Sequence, residues 1–163
     1  MTKLLRVTLV LALLLIGSQA AFGIDVVGPD DLDAFWAEVS RTVAVGDFEG
    51  YTATYHEDAI LVSGLSGTTY PIAEALGGWK QGFVDTKAGK MEASVEFRFT
   101  QRLSDATTAH ETGMFHYAVV AADGGRTEQF VHFEALLVKK QDWKMMMEYQ
   151  KTAASIEEWN AVN

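Results

Sequence analysis

The sequence predicts a single α+β domain with helices packed on one face of a curved, mostly antiparallel sheet. Three observations carry that expectation. Apolar residues recur at helical spacing as far as Phe83, the period changes to two from Met91, and Gly/Asp turn signals divide the second half into strands. The 163 residues suit one core, and no repeat, low-complexity tract or Pro/Gly/Ser-rich linker interrupts them.

Gly28-Pro29-Asp30-Asp31 is a stop followed by helix-start chemistry, because acidic side chains suit the free N–H groups and the dipole of a first turn. Leu32, Phe35, Trp36, Val39 and Val43 then line one helical face. Gly46 ends that helix, and Asp47 caps a second one carrying Phe48, Tyr51 and Tyr55. Ala59 to Val62 reads as a short strand and Ser63 to Gly67 as a loop. A third helix runs from Pro71 towards Phe83, weakened at Gly77-Gly78 by about 1 kcal/mol per Gly relative to Ala. Met91, Ala93, Val95, Phe97 and Phe99 alternate with polar residues as in a half-buried strand. Strands over 110–121, 129–139 and 143–152 follow, separated by turn signals at 123–126 and 140–142.

Composition narrows the function. Zero Cys excludes a disulfide scaffold, thiolate zinc sites and Cys nucleophiles. A net charge of −9 argues against nucleic-acid binding, which needs Lys and Arg to displace counterions. At the N-terminus, Lys3 and Arg6 precede an apolar run from Val7 to Ile16, and Ser18-Gln19-Ala20 offers small residues for signal peptidase. Residues 1–20 are therefore expected to be a cleavable signal peptide, with cleavage after Gly23 as the alternative. The run is too short for a stable membrane span, which needs about 20 apolar residues. Export to the periplasm or the outside of the cell is the expectation.

Gly46-Asp47-Phe48-Glu49 and Tyr55-His56-Glu57-Asp58-Ala59-Ile60-Leu61 resemble the signature of the nuclear transport factor 2-like superfamily. Lys139-Lys140-Gln141-Asp142-Trp143-Lys144-Met145 is similar to its entry into the final strand, and Gly78-Trp79-Lys80-Gln81-Gly82-Phe83 to its third helix. The resemblance implies a domain over residues 28–156, a tail over 157–163, and a cone-shaped sheet wrapped around three N-terminal helices with a pocket at the wide end. Ketosteroid isomerases, SnoaL-like cyclases and scytalone dehydratase-like enzymes share that fold with non-enzymatic domains, so the fold alone does not name a reaction.

Two-residue loops at Gly124-Gly125 and Gln141-Asp142 would set Asp123 opposite Arg126 and Lys140 opposite Trp143. One sheet face then carries His110, Thr112, Met114 and His116 beside Val131, Phe133, Ala135 and Leu137, followed by Met146, Glu148 and Gln150. The other carries Glu111, Phe115 and Tyr117, then His132, Glu134 and Leu136, then Met145, Met147 and Tyr149. The resemblance implies that the first face looks inward; a one-residue slip would invert the assignment. The expected pocket is thus Trp36, Tyr51, Tyr55, Ser63 and Trp79 with Met114, Phe133, Ala135, Met146 and Gln150. Glu148 is the candidate acid or base, partnered by His110 or His116, because burial raises a carboxyl pKa towards neutrality. The same pair would also serve simply to satisfy a buried charge.

Three positions depart from the ketosteroid isomerases. Ser63 stands where their catalytic Asp is, Val39 replaces their oxyanion-binding Tyr, and Ala135 falls near their second oxyanion acid. Tyr55 does match their supporting Tyr. His132-x-Glu134 supplies two potential metal ligands without a third, so no metal site is expected, nor any cofactor. The outward face, with Phe115, Tyr117, Leu136, Met145, Met147 and Tyr149, is apolar enough to predict a homodimer through it. Two functions remain open: binding of a small apolar molecule, or a cofactor-free isomerase, lyase or cyclase reaction on one.

Overall fold

The structure is a computed structural model that describes residues 29–162, so the expected leader peptide and the Gly28 stop lie outside the described residues. Pro29 heads α1 (Pro29–Val45), a position where its missing N–H costs nothing. Leu32, Phe35, Trp36, Val39 and Val43 form the buried stripe of α1. Gly46 then turns the chain with φ +66°. Asp47 caps α2 (Phe48–Ala53), accepting a hydrogen bond from the Gly50 N–H at 2.9 Å. The helix is shorter than expected: it stops at Ala53, and Tyr55 opens β1 (Tyr55–Ser63) instead. β2 (Thr68–Pro71) had no signal in the sequence, since its four residues are mostly exposed and show no alternation. α3 (Ile72–Lys87) passes through Gly77-Gly78 without a break and ends against the Gly46 turn.

β3 (Met91–Ser104), β4 (Thr108–Ala121), β5 (Arg126–Lys139) and β6 (Trp143–Ala154) make an antiparallel meander. The full sheet has the order β2-β1-β6-β5-β4-β3, with β1 parallel to β6. It curves around α1, α2 and α3. At the centre of the core Phe133 meets Trp36, Phe97, Phe99 and Phe115, with ring centroids 5.6–6.1 Å apart.

The first hairpin register differs from the expected one. The loop holds three residues, Ala122-Asp123-Gly124, with Gly124 at φ +84°, so that Val120 pairs with Arg126 and Tyr117 with Gln129. Such a turn ends in a glycine with positive φ and displaces the register by an odd number of residues. Every β4 side chain therefore lies on the opposite face from the one expected. Ala109, Glu111, Phe115 and Tyr117 face inward, whereas His110, Thr112, Met114 and His116 face outward. The second hairpin also has a three-residue loop and pairs Lys139 with Trp143. A bulge at Met146 then restores the expected register, setting Ala135 opposite Glu148 and Phe133 opposite Gln150. Met145 is consequently buried and Met146 is not.

The expected dimer face is corrected accordingly. Phe115, Tyr117 and Met145 belong to the interior, and only Leu136, Met147 and Tyr149 remain outside. Part of the outer face is also covered. Most of the expected tail is a helix, α4 (Ile156–Ala161), begun by a capping box between Ser155 and Glu158. Arg98 of β3 holds its end, donating to the Trp159 and Val162 carbonyls at 2.6 and 2.9 Å, with the guanidinium 4.3 Å from the Trp159 ring.

Gly46→Ala tests the α1–α3 junction. A Cβ there would lie 2.4 Å from the Lys87 nitrogen and 2.5 Å from the Phe83 carbonyl oxygen, in a backbone conformation that L residues avoid. The expected loss is about 2 kcal/mol or more in urea unfolding, with the slope of the transition unchanged.

Candidate functional site

A cavity of about 330 Å³ opens between α1, α3 and the inner faces of β3 and β4. That volume lies at the lower end of the range usual for small-molecule sites, roughly 300–1,000 Å³. Its walls are apolar because they are the inner stripes of amphipathic elements: Val39 and Val43 from α1, Trp79 and Phe83 from α3, Val95 and Phe97 from β3, Phe115 and Tyr117 from β4. Polar atoms are few. Tyr51 of α2, Thr86 of α3, Gln129 of β5 and Gln150 of β6 supply them.

Two of these polar residues are the ends of one hydrogen-bonded chain. The Tyr51 and Tyr55 hydroxyls are 3.2 Å apart, Tyr55 donates to Glu148 Oε2 at 2.5 Å, and Gln150 Nε2 donates to Glu148 Oε1 at 2.7 Å. Glu148 and Tyr55 lie just behind the cavity wall, only 8% and 7% exposed. Burial raises the Glu148 pKa above the ordinary carboxyl value, and the hydrogen bonds from Tyr55 and Gln150 offset part of that rise. No cation is among the groups that shift it. Burial also raises the pKa of both tyrosines, and the nearby Glu148 carboxylate adds to the effect. Burial favours the protonated form of Glu148, and its hydrogen bonds link it through the Tyr55 and Tyr51 hydroxyls to a residue that lines the cavity.

The expected histidine partners lie elsewhere. His110 and His116 point outward, on the other side of the sheet from Glu148, because of the three-residue β4–β5 loop. His110 Nε2 is 3.4 Å from Glu134 Oε2. His116 stacks on Phe130 with centroids 4.3 Å apart and meets Glu128 at 3.0 Å. Met114 is buried beneath the outer face, and Met146 occupies the β6 bulge, so neither borders the cavity. Of the other expected pocket residues, Tyr51, Trp79 and Gln150 line it. Tyr55 stands behind Tyr51, Phe133 and Ala135 fill the core, and Ser63 accepts hydrogen bonds from Ser66 at the end of β1. Among the described residues no group of three His, Asp or Glu side chains is placed to hold a metal ion.

Sequence reasoning missed a second buried carboxylate. Glu111, fully buried, accepts from Trp36 Nε1 at 2.5 Å and from Arg102 Nε, and Arg102 also pairs with Asp33. This occupies Trp36, which was expected at the pocket. The alternation along β4 would have shown Glu111 as inward had the turn length been known.

No family model matches the chain, and no curated protein matches it either. Solved structures do. An NTF-2-like protein from Shewanella oneidensis superposes with a TM-score of 0.56 at 17% identity, over 74% of this chain and 96% of its own. The fold is nuclear transport factor 2-like. The β subunit of a benzoate 1,2-dioxygenase from Burkholderia mallei superposes with a TM-score of 0.61 at 16% identity, covering 76% of this chain and 89% of its own. A conserved protein from Planctomyces limnophilus gives 0.63 at 11% identity, over 74% and 92%. At such identities the likeness concerns the fold.

The raised Glu148 pKa has a sign that stability measurements can read. A carboxyl whose folded pKa exceeds its unfolded value stabilises the fold below the unfolded pKa, and that contribution is lost as pH rises through the folded value. Glu148→Gln, which keeps the shape and removes the charge, should therefore gain in melting temperature relative to the native chain as pH rises from about 4.5 to 7. Parallel melting curves across that interval would contradict the raised pKa.

Proposed function

We propose that this is an exported small-molecule-binding domain whose ligand fills the cavity, its apolar body against Trp79 and Phe83 and its polar end against Tyr51 and Gln150. One observation carries the reading. Gly78 and Gly82, one helical turn apart on α3, both line the cavity. Neither needs its glycine for the backbone: both have ordinary helical φ, Gly78 has nothing within 4 Å of where a Cβ would sit, and Gly82 only the Met91 Cε at 4.0 Å. Ala at each would favour the helix by about 1 kcal/mol. The glycines thus cost stability and supply space where the cavity lies.

The second reading, a cofactor-free isomerase, lyase or cyclase on a small apolar substrate, is favoured by the Glu148 chain. A buried acid connected to the cavity through Tyr55 and Tyr51 is suited to move one proton at a substrate carbon or oxygen. Turnover would then show a bell-shaped pH profile lost in Glu148→Gln, whereas simple binding would keep its affinity in that variant.

Two further parts belong to the proposal. Export rests on Lys3, Arg6, the Val7–Ile16 run and Ala20, and N-terminal sequencing of the secreted protein should begin at Ala21 or Ile24. Homodimerisation rests on Leu136, Met147 and Tyr149, the half-buried part of the outer face.

The cavity reading is tested by filling it. Native mass spectrometry of the purified protein should show a co-purifying small molecule. Gly82→Leu should fold with equal or higher melting temperature and lose that molecule. A variant that is stable and retains the same ligand would place binding elsewhere.

A further inference from the structure

Resting on the ligand-site reading above, we propose that the cavity selects molecules whose polar end donates a hydrogen bond, a hydroxyl or an N–H, over carbonyl compounds of the same shape. The polarity follows from the number of protons available. An ionised carboxylate has none, and each tyrosine hydroxyl has one. With Glu148 ionised, only Tyr55 can donate across the 2.5 Å between its hydroxyl and Glu148 Oε2. With its single proton committed there, Tyr55 can only accept at its contact with Tyr51, 3.2 Å away, so Tyr51 donates to Tyr55. Tyr51, which lines the cavity, therefore has a lone pair on its oxygen and no proton to offer a ligand.

Gln150 is oriented by the same anion. Its Nε2 donates to Glu148 Oε1 at 2.7 Å, and the flipped amide would set a carbonyl oxygen against a carboxylate oxygen. Its carbonyl thus points away from Glu148. The two residues at the ends of the chain, Tyr51 and Gln150, are the ones that line the cavity, while Tyr55 and Glu148 between them do not. One buried carboxylate consequently orients the polar groups of Tyr51 and Gln150, whereas Thr86 and Gln129, the other polar residues of the lining, lie outside its chain. A ligand hydroxyl or N–H against Tyr51 completes the chain. A ketone there would set oxygen against oxygen with no proton between them, and a site whose buried polar group is left unpaired discriminates strongly.

The experiment compares 1-indanol with 1-indanone, an alcohol and a ketone on one skeleton, by calorimetric titration of the purified protein at pH 9. Both tyrosines have raised pKa values and keep their protons in this range. The native chain should bind the alcohol about tenfold more tightly. Tyr55→Phe cuts the chain and frees the Tyr51 proton for the cavity, so the ratio should fall to one or reverse in favour of the ketone. Tyr51→Phe, which removes the acceptor and keeps the ring, should bring the ratio close to one. Equal binding of the two compounds by the native chain, or an unchanged ratio in a folded Tyr55→Phe variant, would overturn the polarity argument and leave the cavity as a binding site. Binding of neither compound would overturn both.

Discussion

The Glu148 carboxylate is buried on the inner side of the sheet with no compensating cation among the described residues, and much of the surrounding architecture serves to make that burial tolerable. A desolvated carboxylate without partners costs several kcal/mol, so such a group either neutralises or collects donors. Here it collects two, Tyr55 from the first strand and Gln150 from its own. Tyr55 can reach it only because α2 stops after six residues and β1 begins at Tyr55, running parallel to β6. The short helix, the parallel strand pair and the bulge at Met146 all bear on the placement of one side chain.

Glu111 shows the other solution to the same problem. It is more deeply buried than Glu148, but Arg102 and the Trp36 indole neutralise and satisfy it. A paired charge of this kind fixes how α1 sits on β3 and β4, and removing one partner would leave the other stranded. The two carboxylates therefore divide the labour. Glu111 is saturated by a cation and away from the cavity, and so is structural. Glu148 is held by two neutral donors, Tyr55 and Gln150, and through them is linked to residues of the cavity wall.

The sequence revealed the elements more readily than the faces they present. Helical stripes such as Leu32 to Val43 and the alternation from Met91 to Phe99 are local patterns, and the structure follows them. Faces depend on parity, which a single loop residue reverses. In the β4–β5 hairpin the loop has three residues where Gly124-Gly125 suggested two, so His110 and His116 turned outward and the expected Glu/His pair does not exist. In the β5–β6 hairpin the same departure occurs, but the Met146 bulge cancels it before Glu148. Glu148 thus faces inward by two offsets that no local pattern disclosed. Residues 157–163 were unreadable for a different reason: one turn of helix has too few residues to show a period, and α4 is fixed by Arg98, far away in the chain.

The costs in this fold are concentrated in one place. Gly78 and Gly82 forgo helical stability, Glu148 bears desolvation, and Tyr55 and Gln150 spend their hydrogen-bonding capacity on holding it. A core under selection for stability alone would put Ala at the two glycines and an apolar residue at 148, since replacing buried polar groups by packed apolar ones is often neutral or favourable. These local conflicts with the rules of stability converge on a single cavity. Among the described residues the outer face shows no comparable concentration: His110 pairs with the half-buried Glu134, His116 and His132 pair with the exposed Glu128 and Glu158, and α4 closes over part of it. The departures from what stability alone would favour therefore lie on the inner side of the sheet, between α3 and the Glu148 chain.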